Sequence, residues 1–271
     1  MTAPGFELSS ARLPRVDGVR LVVGLSGIVV VLLVWELLSR TEVLPSRYFP
    51  PASAVLARVG QLVLTPALWN VVGLTLKAWS LGLGIAVVIA VPVGVVLGSS
   101  DRMYGLFRVV IEVLRPIPPV VLIPLALLIL GATLQMKLLL IVYGAVWPLL
   151  MQTIYGVRSV DPHTLEMARA YRLRPTQRFV QVRLAGATPY IATGIRISAT
   201  LALIVSVVAE LVGGAPGLGN DILLAQSSGE NTLMYALIVV TGLVGVIIIM
   251  VFQRLERSIL FWHPSQRGEN T

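Results

Sequence analysis

The chain contains no cysteine, which excludes disulfides, thiolate metal sites and iron–sulfur clusters. It is also poor in charge: Asp, Glu, Lys and Arg make up 13% of its 271 residues, against about 25% in soluble domains. Its only histidines, His163 and His263, have no His-Glu-x-x-His context, so no metal site is expected. Neither lysine, Lys77 or Lys137, follows a glycine in a phosphate-cradling loop, so the chain should bind no ATP itself and carry no cofactor. No nucleophile–base pair stands out, and an enzyme is not expected.

What fills the chain instead is apolar. Hydrophobic residues make up 56% and mean hydropathy is +0.87. The runs Val19–Leu38, Val71–Gly98, Val109–Gly131, Met136–Tyr155, Ala187–Gly213 and Leu233–Phe252 each approach the roughly 20 residues that cross a bilayer as a helix. The expectation is an all-α membrane protein with about six transmembrane helices. The first run follows arginines and lacks a small-x-small cleavage pattern, so it reads as a retained helix.

A net charge of +8 and a pI near 10.4 would suit nucleic acid, but the distribution argues otherwise. With the N-terminus inside, only Arg40, Arg47, Arg58, Lys77 and Lys137 fall in outside segments, and Arg115 and Arg196 fall in helices. All other basic residues lie inside, which satisfies the positive-inside rule with both termini cytoplasmic. The domain reading is a tail over 1–18, a transmembrane domain over 19–257 with a long inner loop near 158–186, and a tail over 258–271.

Between the first two runs, Thr41–Asn70 should form a short helix on the outer face, with Ser53 as its cap. Pro92, with Gly82, Gly84 and Gly94, suits a membrane helix approached closely by a neighbour. Arg115-Pro-Ile-Pro-Pro-Val-Val-Leu-Ile-Pro124 cannot form an unbroken helix, so the third run is expected to kink. Irregular backbone at that depth must be buried in protein or line a path, which makes Pro116, Pro118 and Pro119 path candidates.

The inner loop reads as two short helices parallel to the membrane. Asp161 and Pro162 open the first as N-cap and first helical residue, with Leu165, Ala168 and Arg172 on one face. Pro175 opens the second, with Phe179, Val182 and Arg183 facing alike. By composition alone this is equally an ordinary positive-inside loop. Its residues, however, resemble the coupling loop of bacterial ABC importer permeases, whose pattern is Glu-Ala-Ala, a Gly three residues on, and a later Leu-Pro. Glu166, Ala168, Ala170 and Leu184 match it. Met167 replaces the first Ala, Arg172 stands at the Gly, and Ala185 replaces the Pro.

Leu44-Pro-Ser…Phe49-Pro-Pro-Ala-Ser-Ala-Val-Leu56, the Arg115 segment, Ala209-Glu-Leu-Val-Gly-Gly-Ala-Pro-Gly-Leu-Gly219 and Leu255-Glu-Arg…Trp262 resemble the same family in the same order. The likeness extends over about 20–263 and is nearest to the nitrate/sulfonate/taurine branch. It implies a helical bundle paired with a second permease copy and two ATP-binding subunits that hold ATP and Mg. An extracytoplasmic binding protein would deliver a small solute. By position, Glu166, Met167, Ala168, Ala170, Tyr171 and Arg172 would form the ATPase contact, and the third and fifth runs would line the path. The Gly position matters because Gly readily adopts positive φ.

Ionisable residues in membrane segments are functional candidates by default. Arg196 is expected near the inner interface, where it snorkels or serves the path. Glu210 is expected near the outer end of its span, as a gate or a helix cap. Trp35 and Glu36 close the first run, and Glu112 with Arg115 is expected to pair across one turn. The alternative of an ion-gradient-driven transporter needs carboxylates near mid-membrane, and Glu36, Glu112 and Glu210 all read as end-placed.

Overall fold

The computed structural model describes residues 18–259. Among these the chain is helical and has no strand. The expected tails, apart from Gly18, Ser258 and Ile259, lie outside the described residues, as do Trp262 of the closing match and His263.

The chain divides into two units at Ala57/Arg58. In the first, α1 (Gly18–Arg40) is followed by a turn and the start of α2 (Ala52–Val63). Ser53 does not cap α2 from outside, because it is already the second helical residue. The cap is Glu36: its carboxylate accepts from the Ser53 backbone N–H and hydroxyl, each at 2.9 Å. Arg40, one turn on, donates to the same carboxylate at 2.6 Å. Ser39, 1% exposed, ties the intervening turn by donating to the Phe49 carbonyl at 2.6 Å.

The second unit contains α3 (Pro66–Ser99), α4 (Asp101–Leu114), a 3-10 turn Pro119–Leu122, α5 (Ile123–Leu130) and α6 (Leu134–Arg158). Then come α7 (Pro162–Ala170), α8 (Pro175–Gln177), a π-helical stretch Arg178–Leu184, α9 (Ala185–Gly213), α10 (Leu218–Ser227) and α11 (Asn231–Ile259). Four helical runs are long and apolar enough to cross a membrane: 66–99, 134–158, 175–213 and 231–258.

The expected third run is broken. α4 and the Pro119–Leu130 piece meet at 76°. Pro116, Pro118 and Pro119 supply no N–H, so the helix cannot continue through them. The Leu114 carbonyl, which has no N–H at Pro118 to pair with, accepts from the Tyr143 hydroxyl at 2.7 Å and the Ile117 N–H at 3.2 Å. The expected Glu112–Arg115 pair does not form; Glu112 takes Arg108, one turn earlier, at 2.7 Å.

α6 is the central helix, packed along its length between α3 and α9. The seams consist of small residues: Ala78, Ala86, Ala145, Ala199 and Ala202 are buried. A β-carbon at Gly82 or Gly94 would collide with Ile141 or Thr153 of α6, whereas Gly84 faces open space. Large side chains point outward instead, with Val88 73% and Leu128 84% exposed. Small residues inside and branched aliphatics outside suit an apolar surround, where close backbone approach replaces the hydrophobic drive.

Candidate coupling loop and buried polar cluster

α7 is fixed at both ends by its own sequence. The Asp161 carboxylate accepts from the His163 N–H at 2.9 Å, with Pro162 at the first helical position, as expected. At the other end Leu173 N–H returns to the Ala168 carbonyl at 3.1 Å and Arg172 N–H to Arg169 at 2.9 Å. That is a Schellman turn, which needs a left-handed residue after the cap. Arg172 occupies that position with φ +54. The backbone thus keeps the shape a glycine would favour, although the residue is arginine.

The loop residues divide by face. Ala168 is buried, and α7 lies against the π-helical stretch. Glu166, Ala170 and Arg172 are exposed, as are Met167 at 56% and Tyr171 at 82%. Met167 and Tyr171 are four residues apart and share a side of the turn, so apolar surface projects outward from a short polar segment. Glu166 meets only His163, at 3.8 Å, with both exposed.

The expected second, separate helix does not exist. Pro175 starts a helical run of 39 residues that passes through the π-helical stretch into α9 and ends at Gly213. At 1.5 Å per residue this is a rod of about 58 Å. A π-helical stretch widens the turn without breaking the rod. The second half of the candidate coupling loop, from Pro175 on, and the far end of α9 are therefore parts of one element.

At that far end lies a buried polar cluster. Glu210 and Lys137 form an ion pair at 2.9 Å, with side chains 0% and 4% exposed. The other Glu210 oxygen accepts from the Thr75 hydroxyl at 3.0 Å and the Gly219 N–H at 3.1 Å. Lys137 also donates to the Pro216 carbonyl at 2.8 Å, and Thr75 accepts from the Leu218 N–H at 3.0 Å. Residues of α3, α6 and α9 thus hold the 214–217 turn and the N-terminus of α10. A carboxylate suits that position, because free N–H groups and the helix dipole converge there. A β-carbon at Gly217 would overlap the Glu210 carboxylate, and one at Gly219 would meet the Val207 carbonyl.

Lys137 was the residue sequence reasoning missed. It reads as an outside-loop charge, yet it sits in the first turns of α6, 3% exposed. Lys77, also assigned outside, lies on an exposed face within α3. The one available signal was charge complementarity: a lone Glu and a lone Lys in neighbouring apolar runs cannot be left unpaired.

Arg196 is not alone on its helix. It pairs with Glu256 of α11 at 3.1 Å, and Thr193 donates to the same carboxylate at 3.1 Å. Pro119 lies in the seam between α6 and α9, where a β-carbon at Gly144 would come within 3.0 Å of Pro119 and 3.1 Å of Val205. Pro116 and Pro118 are exposed beside the break. Among the described residues no three His, Asp or Glu side chains gather into a metal-ligand set.

Comparison with known proteins agrees with this architecture. The chain is 28% identical over 239 residues to the putative aliphatic sulfonates transport permease protein SsuC of Bacillus subtilis, covering 88% of this chain and 87% of that protein. It is 29% identical over 242 residues to the taurine transport system permease protein TauC of Escherichia coli, covering 86% and 87%. It is 29% identical over 243 residues to the nitrate import permease protein NrtB of Synechocystis, covering 86% and 85%. A chain of the inward-facing MetNI methionine ABC transporter shares the fold, with a TM-score of 0.63 at 23% identity over 71% of this chain and 95% of that one. Residues 90–260 match the family of binding-protein-dependent transport system inner membrane components. The chain belongs to that family, and is an ABC importer permease of the nitrate/sulfonate/taurine branch, a transport component and not an enzyme.

Proposed function

We propose that this permease carries a small oxyanion across the bacterial cytoplasmic membrane, paired with a second copy of itself and driven by two separate ATP-binding subunits. The chain crosses the membrane six times with both termini inside, counting α1 and the broken α4–α5 pair as one span each. A binding protein delivers the solute outside. The relatives' names, which specify aliphatic sulfonates, taurine and nitrate, support a small anion as cargo. Selection rests with the binding protein, because the candidate path residues Pro116, Pro118 and Pro119 are apolar and the charged candidates Arg196 and Glu210 are held in ion pairs.

The observation that carries this reading is the unbroken helix from Pro175 to Gly213. A docking face of Glu166, Met167, Ala170, Tyr171 and Arg172 sits at one end, on a loop that Ala168 anchors to the rod. The 214–217 turn hangs from the other end through Glu210. When the ATP-binding subunits close, force on α7 would pass along this rod to the far turn. Rocking of the two bundles would then open the path between the broken third span and α9. ATP and Mg stay on the partner subunits.

The test is co-purification and ATPase coupling in proteoliposomes. Glu166→Ala, Met167→Asp or Tyr171→Ala should uncouple hydrolysis from uptake, and Ala168→Leu should do so by lifting α7 off its seat. Unchanged coupling in all four variants would reject α7 as the docking element. Failure of any ATPase to co-purify, with uptake following an ion gradient, would favour a secondary transporter.

A further inference from the structure

A cavity of about 210 Å3 lies between α7 and the root of the long helix. Arg169 of α7 lines one side, and Arg178 and Arg183 of the π-helical stretch line the other; Leu165, Pro175 and Phe179 complete the wall. No acidic side chain lines it. Three guanidinium groups around one space repel each other unless an anion sits among them. The Nε of Arg178 is buried and has no hydrogen-bond partner. Arg183 makes one long bond, 3.4 Å, to the Ser99 carbonyl. A buried guanidinium donor without an acceptor is costly and marks a place where an acceptor belongs.

Guanidinium forks match the paired oxygens of tetrahedral oxyanions, and such charge-assisted bonds are the strong ones. At about 30 Å3 of liquid per water molecule, the cavity has room for such an oxyanion together with part of an attached group. The apolar wall from Leu165, Pro175 and Phe179 suits that attached group.

We propose that this cavity binds a phosphate-type or sulfonate-type oxyanion, which cross-links α7 to the root of the 175–213 helix. Bound there, the anion stiffens the joint through which the docking face meets the rod, so occupancy tunes coupling. The ligand is either the headgroup of an anionic lipid or a free cytoplasmic oxyanion. Both present the same oxygens to Arg169, Arg178 and Arg183. The site's role in coupling rests on the permease reading above; the binding itself does not.

The experiment uses the full-length permease in nanodiscs, without ATPase, and follows melting and hydrogen exchange over 165–184. Inorganic phosphate and sulfate are titrated at constant ionic strength in phosphatidylcholine discs, with chloride as control. A parallel set replaces part of the lipid with phosphatidylglycerol. The expected result is saturable stabilisation and at least five-fold slower exchange of that segment, lost in Arg178→Gln and in Arg169→Gln. Arg169 is exposed, so its variant keeps the protein folded if Arg178→Gln does not. A response to free anions identifies a soluble ligand; a response to phosphatidylglycerol alone identifies the lipid headgroup. Either supports the site. Equal responses in chloride, or responses that survive Arg169→Gln, overturn it. Binding without ATPase co-purification would reject the permease mechanism and leave the site standing.

Discussion

Lys137 and Glu210 face each other across the α6–α9 seam at 2.9 Å, with side chains 4% and 0% exposed. Both are covered by protein and by the turn they hold, so the pair is satisfied by geometry and not by water. Thr75, Gly219 and Pro216 take up the remaining donors and acceptors. Such a network is worth having only when complete, because each orphaned member costs more than the pair contributes.

Removing one member of the pair should therefore be severe. Glu210→Leu or Lys137→Met leaves a buried charge unpaired and should cost about 3–5 kcal/mol. The double variant should regain much of that loss, since two apolar residues leave no orphan. Melting in detergent reads this directly. Additive losses in the double variant would show that the two residues do not act as a pair.

Glu210→Gln keeps the shape but removes the charge that faces Lys137 and the α10 N-terminus. Uptake should fall sharply while binding-protein affinity for cargo is unchanged. Unaltered transport kinetics would remove Glu210 from the gating machinery and leave it a structural cap.

Gly217→Ala tests the same cluster from the backbone side, because the added carbon meets the Glu210 carboxylate. It should lower the melting temperature and disorder the 214–217 turn, seen as faster hydrogen exchange at Leu218 and Gly219. If Ala is accommodated with no change in either readout, the turn is not held by Glu210.

Arg172 pays the cost of a left-handed conformation that glycine adopts freely, on the order of 1 kcal/mol. Arg172→Gly should preserve or raise protection of the Leu173 amide, while Arg172→Val should lose it, since a β-branched residue is worst at positive φ. Loss of protection in the glycine variant would mean that the arginine side chain, and not the backbone, holds the turn.

Arg196 should behave as a clamp between α9 and α11. Its pair with Glu256 is partly exposed, so Arg196→Ala should cost only about 1 kcal/mol. Transport per folded molecule should be retained. A large drop in transport with normal melting would place Arg196 in the path.

Much was legible without coordinates, for local reasons. Apolar run length marked the membrane class, and the prolines at 116, 118 and 119 required the break that divides α4 from α5. Asp161 and Pro162 announced the start of α7, because capping needs only neighbouring residues. Motif resemblance singled out Glu166, Met167 and Tyr171, and the proposal that they form a docking face rests on it; all three are exposed.

Pairings between distant residues were decided by tertiary structure alone. Nothing in the spacing of Glu112, Arg108 and Arg115 says which turn of the helix will pair, and the break after Leu114 settled it. Lys137 read as an outer charge because its immediate neighbours are a turn and a helix start. It became an interior charge because α6 is the central helix, and a buried charge on its face needs a partner. Glu210, 73 residues away in sequence, supplies it. Likewise Pro175 announces a helix start, but only packing decided that this helix runs unbroken into α9. The reason is the same throughout: caps and breaks are set by bonds within a few residues, whereas burial is set by whatever the rest of the chain places alongside.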